Sequence, residues 1–201
     1  MRERFDPTTG NPTLGPEMID HFEVRAIEKL NEMLRIELAP FYKHQTGTVQ
    51  SSQNPADDGR LVNLGTVDIY GVDVLGRVTP VKRVEIGGAW DYVRDSSILD
   101  GVTTQDPINR LPHTKLEGWV QLTPDPHFSL ISRVMYFGQS IDSGTVLPGY
   151  TTVELTATAP ISRKYLAVAK CEDLFNVAPE IRAGYRTPGR ITSLMLQGTW
   201  E

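Results

Sequence analysis

From Arg83 to Tyr92 the chain alternates two kinds of side chain, with Val84, Ile86, Gly88, Trp90 and Tyr92 on one side and Arg83, Glu85, Gly87, Ala89 and Asp91 on the other. Successive side chains of a strand point to opposite faces, so this period predicts a strand with one apolar face and one polar or small face. The same alternation sets Leu34, Ile36 and Leu38 against Arg35, Glu37 and Ala39 ahead of Tyr42, and Leu116, Gly118, Val120 and Leu122 against Lys115, Glu117, Trp119 and Gln121. It recurs as Val153, Leu155, Ala157 and Ala159 against Thr152, Glu154, Thr156 and Thr158, and as Leu194, Leu196, Gly198 and Trp200 against Ser193, Met195, Gln197 and Thr199. About nine strands are expected in all, which makes the class all-β. The stretch from Val24 to Leu34 also carries a helical signal, because Ile27, Leu30, Met33 and Leu34 sit near helical spacing among good helix formers, but a strand is still expected there.

The connections alternate as well. Short ones, rich in Pro, Asn or Asp, are expected at Leu30-Asn31-Glu32, Thr79-Pro80-Val81, Thr123-Pro124-Asp125-Pro126 and Pro160-Ile161-Ser162. Between them run long polar loops, roughly Gln45 to Arg60, Arg94 to Arg110, Gln139 to Gly149 and Asn176 to Pro188. Strict alternation of short turns and long loops is the habit of a transmembrane barrel, whose turns face the periplasm and whose loops face outside. A soluble all-β barrel is also compatible with it.

Composition permits both architectures. At 201 residues the chain is long enough to bury a soluble core. Its 39% hydrophobic and 22% charged residues argue against disorder and against a bundle of membrane helices. No run approaches the roughly 20 apolar residues of a spanning helix, whereas a spanning strand needs only about 10 residues with alternate ones apolar. The net charge of −5 and the absence of a Lys/Arg run exclude nucleic acid as a partner. The single cysteine, Cys171, has no internal disulfide partner, and His21, His44, His113 and His127 are scattered. Neither a metal site nor a cofactor is therefore expected. The segment from Met1 to Glu17 lacks an apolar h-region, so no secretory signal peptide is read there.

Enzymatic chemistry finds no foothold. Nucleophile-elbow, phosphate-loop, dinucleotide and zinc-protease motifs are all missing. The adjacent acids Asp57-Asp58 and Glu172-Asp173 would point to opposite faces of a strand and so make no local carboxylate pair. Cys171, beside Glu172 and Asp173, is poorly set for a nucleophilic thiolate.

The last thirty-seven residues carry motifs of their own. An alternating run from Tyr165 stops at Glu172-Asp173-Leu174-Phe175-Asn176, a polar loop passes through Gly184-Tyr185 and Pro188-Gly189-Arg190, and the final run reaches Trp200. This resembles the C-terminal hairpin of the TonB-dependent outer-membrane receptors, V-x-N-L-F-D, then Tyr, then G-Y-x-x-x-G-R and the last strand. Asp173 stands where that family usually has Asn, and Glu201 lies beyond the last aromatic. Asn11-Pro12-Thr13-Leu14-Gly15-Pro16-Glu17 matches the family's N-P-x-L-x-P-E phrase, after which the resemblance implies a strand from about Phe22-Glu23; Arg25 stands where a small Gly is common. Asn63-Leu64-Gly65 leading to Gly71-Val72-Asp73, Leu111 to Lys115, and Leu147-Pro148-Gly149-Tyr150 are similar to further strand beginnings in the family.

The resemblance implies an antiparallel up-and-down meander corresponding to the C-terminal portion of a barrel of about 22 strands. It implies a polar segment and loop over residues 1–18 and a partial barrel domain over 19–201, without the plug domain, and not transport-competent alone. The parent receptor would sit in the bacterial outer membrane, contact lipid, engage TonB, and take up a nutrient complex such as an iron siderophore or cobalamin. Ligand contacts are expected among the outer-loop residues Gln50, Asn54, Asp57, Arg60, Asp95, Gln105, Arg110, Arg182, Tyr185 and Arg186. Asn11, Pro12, Glu17, Asp173, Leu174, Phe175, Gly184, Tyr185, Gly189, Arg190 and Trp200 belong to the structural motifs, with Asp173 and Arg190 expected to order the last loop. Trp90, Tyr92, Tyr136, Tyr165 and Trp200 would form interfacial girdles. The competing reading is a soluble β-barrel or sandwich that binds a small ligand or a protein. It requires the apolar faces to point inward, whereas the membrane reading turns them outward and collects Arg35, Glu37, Arg83, Glu85, Asp91, Lys115, Glu117, Gln121, Glu154 and Gln197 on the lumen side.

Overall fold

A computed structural model describes residues 10–51, 60–63, 65–99, 102–105, 110–125, 127–142, 144–162 and 164–198. Its principal strands are β1 (Met18–Glu23), β3 (Leu34–Thr46), β6 (Thr66–Val81), β7 (Val84–Leu99), β9 (Thr114–Asp125), β10 (Phe128–Phe137), β13 (Tyr150–Pro160), β14 (Tyr165–Glu172) and β17 (Ile191–Gly198). They form one sheet in the order β1-β3-β6-β7-β9-β10-β13-β14-β17, with β2 (Ala26–Lys29) added to β3 and β8 (Val102–Gln105) to β7. The pairs β1–β3, β7–β9, β9–β10, β10–β13, β13–β14 and β14–β17 are antiparallel, as in an up-and-down meander. Among the described residues no helix occurs. Within the long connections, described residues pair into small ribbons: β4 (Val49–Ser51) with β5 (Leu61–Asn63), β11 (Ser140–Asp142) with β12 (Thr145–Leu147), and β15 (Glu180–Arg182) with β16 (Tyr185–Arg186).

One expectation is met against a competing signal and another needs correction. The strand expected after Val24 forms despite the helical spacing of its apolar residues, since Ala26–Lys29 extends along Leu38 to Arg35. Asn31 then makes the turn, its side-chain oxygen accepting from the Met33 and Leu34 N–H groups at 2.8 Å each. The gap between β1 and β2 lies opposite Pro40, which has no N–H to give a ladder and whose carbonyl accepts from the Val24 N–H at 3.1 Å. Arg25, in the gap, sets Nη1 3.6 Å from Glu37. The correction concerns the turn expected at Thr79-Pro80-Val81. Those residues remain in β6, and the chain reverses at Lys82-Arg83 instead.

The chain forms two compact units: Met1–Val24 with Pro40–Gly71 and Val93–Ile108, and Arg25–Ala39 with Val72–Tyr92 and Asn109–Glu201. In the second unit the usual relation of side chains to solvent is inverted. Leu38, Leu116 and Val134 are 44–45% exposed, whereas the side chains of Glu154, Glu37 and Glu117 are only 12%, 17% and 22% exposed. The carboxylates are shielded because they lie among opposite charges. Arg133 reaches Glu117 at 2.9 Å and Glu154 at 3.6 Å, and Lys170 reaches Glu154 at 3.0 Å and Glu172 at 2.7 Å, a ladder of alternating sign across β9, β10, β13 and β14. Among the described residues the buried hydrophobic side chains are only Leu14, Ala39, Val67 and Leu147. A soluble protein rarely leaves so much contiguous apolar surface uncovered.

On the charged face Trp119 lies against Gly87, its register partner, and donates from Nε1 to Glu85 at 3.2 Å. A Cβ on Gly87 would overlap the indole. Gly87→Val should therefore expel Trp119 and cost about 1–3 kcal/mol, as overpacking does. The check is a urea titration in micelles followed by Trp emission; an unchanged midpoint and spectrum would refute it.

Candidate functional site

In the first unit the N-terminal motif is a fastening. Asn11 Oδ1 accepts from the Thr13 N–H at 2.9 Å, while its Nδ2 donates to the Leu61 carbonyl at 2.9 Å. Asn63 works from the other side: its Oδ1 accepts from the Gly15 N–H at 2.7 Å, and its Nδ2 donates to the carbonyls of Gly47 at 2.6 Å and Gly15 at 3.2 Å. Glu17 accepts from the Val49 N–H at 2.7 Å, and Leu14 is buried between these contacts. The segment before β1 is thereby bound to the β4–β5 ribbon.

Of the expected ligand contacts in this unit, Gln50 lies in β4 opposite Val62 and Gln105 in β8 opposite Ser96. Arg60 is exposed just ahead of β5. Asp95 is placed differently from expectation, within β7 and 2% exposed, so it is not a loop side chain. Asn54 and Asp57 lie outside the described residues. On the apolar-alternating side of β3, Tyr42 Oη donates to Asp68 Oδ1 at 2.6 Å, and His44 Nδ1 meets the same oxygen at 2.7 Å.

In the second unit two buried carboxylates organise the longer connections: Asp142 joins the segment ahead of β9, the β10–β13 loop and the β14–β17 loop, and Asp173 orders the start of the last. Asp142, at the end of β11, receives Arg110 Nε on Oδ1 at 3.3 Å and the Ala183 N–H on Oδ2 at 2.8 Å. Arg110 and the β15–β16 ribbon, which carries Arg182, Tyr185 and Arg186, are thus attached to one residue. Arg182 places its guanidinium 5.1 Å from the Tyr185 ring centre, a cation–π distance. Glu180, opposite Arg186 in the ribbon, accepts from the Gly184 N–H at 2.6 Å and closes its turn.

Asp173 organises the start of the last loop. Its Oδ1 accepts from the Val177 N–H and its Oδ2 from the Ala178 N–H, each at 2.9 Å. Both oxygens serve as acceptors, and only a carboxylate has two, so Asp suits this loop better than the family's usual Asn. Asn176 accepts from the Arg190 N–H at 3.0 Å, and Asp173, Asn176 and Ala178 all have positive φ, a compact knot that brings the far end of the loop back to β17. Leu174 donates its N–H to the Val153 carbonyl at 2.9 Å, while Phe175 is exposed. Trp200 lies outside the described residues. Beneath the knot a cavity of about 240 Å³ is lined by Phe137, Tyr150, Glu154, Glu172 and Pro188 among others. The Phe137 and Tyr150 rings stack at 4.9 Å, and Lys115 Nζ stands 5.9 Å from the Phe137 centre.

The sequence motif of the TonB dependent receptor-like β-barrel family matches residues 2–175. The chain belongs to this family. Among solved structures it is similar to the copper transporter OprC, with a TM-score of 0.76 at 12% identity over 98% of this chain and 34% of that one. It is similar to the ferric-catecholate import receptor Fiu of E. coli K12, with a TM-score of 0.65 at 16% identity over 96% of this chain and 29% of that one. A ferric enterobactin receptor mutant of Pseudomonas aeruginosa, in complex with enterobactin, gives 0.69 at 14% identity over 94% and 32%. The chain thus spans about a third of the length of the receptors it matches. Compared with curated protein sequences it finds no match.

Sequence reasoning did not single out Asp142, Asn63 or Glu180 as organising residues. Asn63 carried a faint signal, because it opens the Asn63-Leu64-Gly65 phrase. Asp142 had none, since its partners lie 32 and 41 residues away along the chain.

Proposed function

We propose that this chain forms part of the wall and outer loops of an outer-membrane receptor that takes up a scarce nutrient as a metal chelate, an iron siderophore or a related complex such as cobalamin. The carrying observation is the inverted sheet, in which leucines and valines are exposed while carboxylates and guanidinium groups are partly shielded against one another. Such a sheet suits lipid on the apolar side and a water-filled lumen on the other. Trp90, Tyr136 and Tyr165 lie on the apolar side, where girdles at the membrane boundary would need them. That several structural relatives import ferric catecholates or copper supports a metal-bearing nutrient, and Arg182, Tyr185 and Arg186 on the last loop are the side chains offered to it. The remaining wall of the barrel, the plug and the contact with TonB complete the transport cycle in the full receptor. The chain alone would not carry out that cycle.

The test is far-UV circular dichroism with size-exclusion chromatography on the refolded chain, in buffer and in mild detergent. β structure gained only in micelles, with aggregation in buffer, is the expected result. A compact, cooperatively folded monomer in plain buffer would sink the membrane reading and leave the soluble barrel.

A further inference from the structure

We infer that Asp142 is a positioning residue: a buried carboxylate that clasps three outer segments together and so sets the pose of the Arg182–Tyr185 face offered to ligand. This deepens the reading of the outer loops as the ligand contact and rests on it. Asp142 is 4% exposed, and a carboxylate at that depth is stable only when its oxygens are satisfied. Oδ1 is held by Arg110 Nε at 3.3 Å, on the segment that leads into β9, and Oδ2 by the Ala183 N–H at 2.8 Å, at the turn of the β15–β16 ribbon.

A second bond doubles the first attachment. The Arg110 N–H donates to the Ile141 carbonyl at 2.7 Å, so backbone and side chain of Arg110 grip consecutive residues of β11. Arg110 adopts a φ of 64°, an uncommon conformation for a residue with a Cβ, which persists only where surrounding contacts hold it. The ribbon is short, with three residues in β15 and two in β16, and a two-stranded ribbon of this size is not stable by itself in water. Asp142 supplies what it lacks. Ala183 is the neighbour of Arg182, so the bond to its N–H fixes the backbone from which the guanidinium reaches the Tyr185 ring. One carboxylate therefore binds three segments into a single preformed surface, which lowers the ordering cost of capturing a ligand.

Arg182 and Arg186 are themselves trypsin sites, so the clasp has a direct readout on the full chain folded in micelles. Asp142→Asn, which removes the charge and keeps the shape, should raise the rate of cleavage after Arg182 and Arg186 at least tenfold. The urea midpoint should stay unchanged, because the sheet does not depend on the clasp; a merely structural role would move both. Arg110→Lys, which keeps the charge but lacks Nε, should fall between. Equal cleavage rates in Asp142→Asn and the parent chain would overturn the inference. Should that variant fail to fold, Arg110→Lys decides it: cleavage after Arg182 and Arg186 must then accelerate or the clasp is refuted. In parallel, ferric enterobactin binding is followed by quenching of intrinsic fluorescence, with at least fivefold weaker binding expected for Asp142→Asn. If the parent chain does not bind this probe, the catecholate form of the nutrient reading fails, while the protease rates still decide the clasp.

Discussion

Val120→Arg should lower folding stability in lipid vesicles by about 2–4 kcal/mol, the cost of placing a guanidinium near the middle of a bilayer. Val120 lies midway along β9 on the apolar side, paired with Ile86 on β7 and Ser132 on β10, and is 40% exposed. On the proposed membrane reading, an arginine there would have about half a bilayer to cross before it meets water. Gln121→Arg, one residue on, points to the face that carries Glu85, Trp119 and Arg133, and should change stability by less than about 1 kcal/mol because that face is wet. Folding titrations in urea with preformed vesicles measure both. Equal costs at the two positions would mean that neither face meets lipid, and reversed costs would make the apolar face the interior of a soluble barrel.

Gly189→Ala should cost about 2–4 kcal/mol, with the loss confined to the last loop and its junction with β17. Two effects add. Gly189 has a φ of 78°, in the left-handed region, where a Cβ is strained. That Cβ would also overlap Asn176 Oδ1, the oxygen that accepts from the Arg190 N–H. Gly144 and Gly184 separate the two causes, since their φ values of 84° and 79° are equally left-handed but a Cβ on either meets open space. Gly144→Ala and Gly184→Ala should therefore cost only about 1 kcal/mol each. Hydrogen exchange at the Arg190 amide reads the local opening. If all three alanine variants behave alike, the Asn176 contact contributes nothing and backbone strain alone explains the glycine.

The alternation of side chains was a sound guide to where strands run, because a strand's period is local and a ten-residue stretch contains it whole. It held even where a second local signal competed. Near Ile27 to Leu34 the helical spacing was genuine in composition, but residues 26–29 are held by pairing with Leu38 to Arg35, a contact that outweighs helix propensity. At Pro80 the usual association of proline with turns misled, since a strand end tolerates proline where no ladder bond is required of its nitrogen. The site was less legible than the fold. Arg110, Arg182, Tyr185 and Arg186 were recognisable as loop side chains by type, whereas Asp95 looked the same in the sequence and is buried in β7.

What the amino-acid order determined without help was the set of strands, the division of each into an apolar and a polar side, the alternation of short and long connections, and the motifs that place the chain in its family. All of these depend on neighbours within about a dozen residues. Which side of the sheet faces outward was decided only in three dimensions. A period of two defines two faces without giving either a sign, and the sign appeared when Glu117, Arg133, Glu154, Lys170 and Glu172 aligned across four strands and shielded one another while the leucines stayed uncovered. The loop clasp is likewise tertiary, because Asp142 and Ala183 are brought within 2.8 Å from 41 residues apart, a distance along the chain that no local pattern spans.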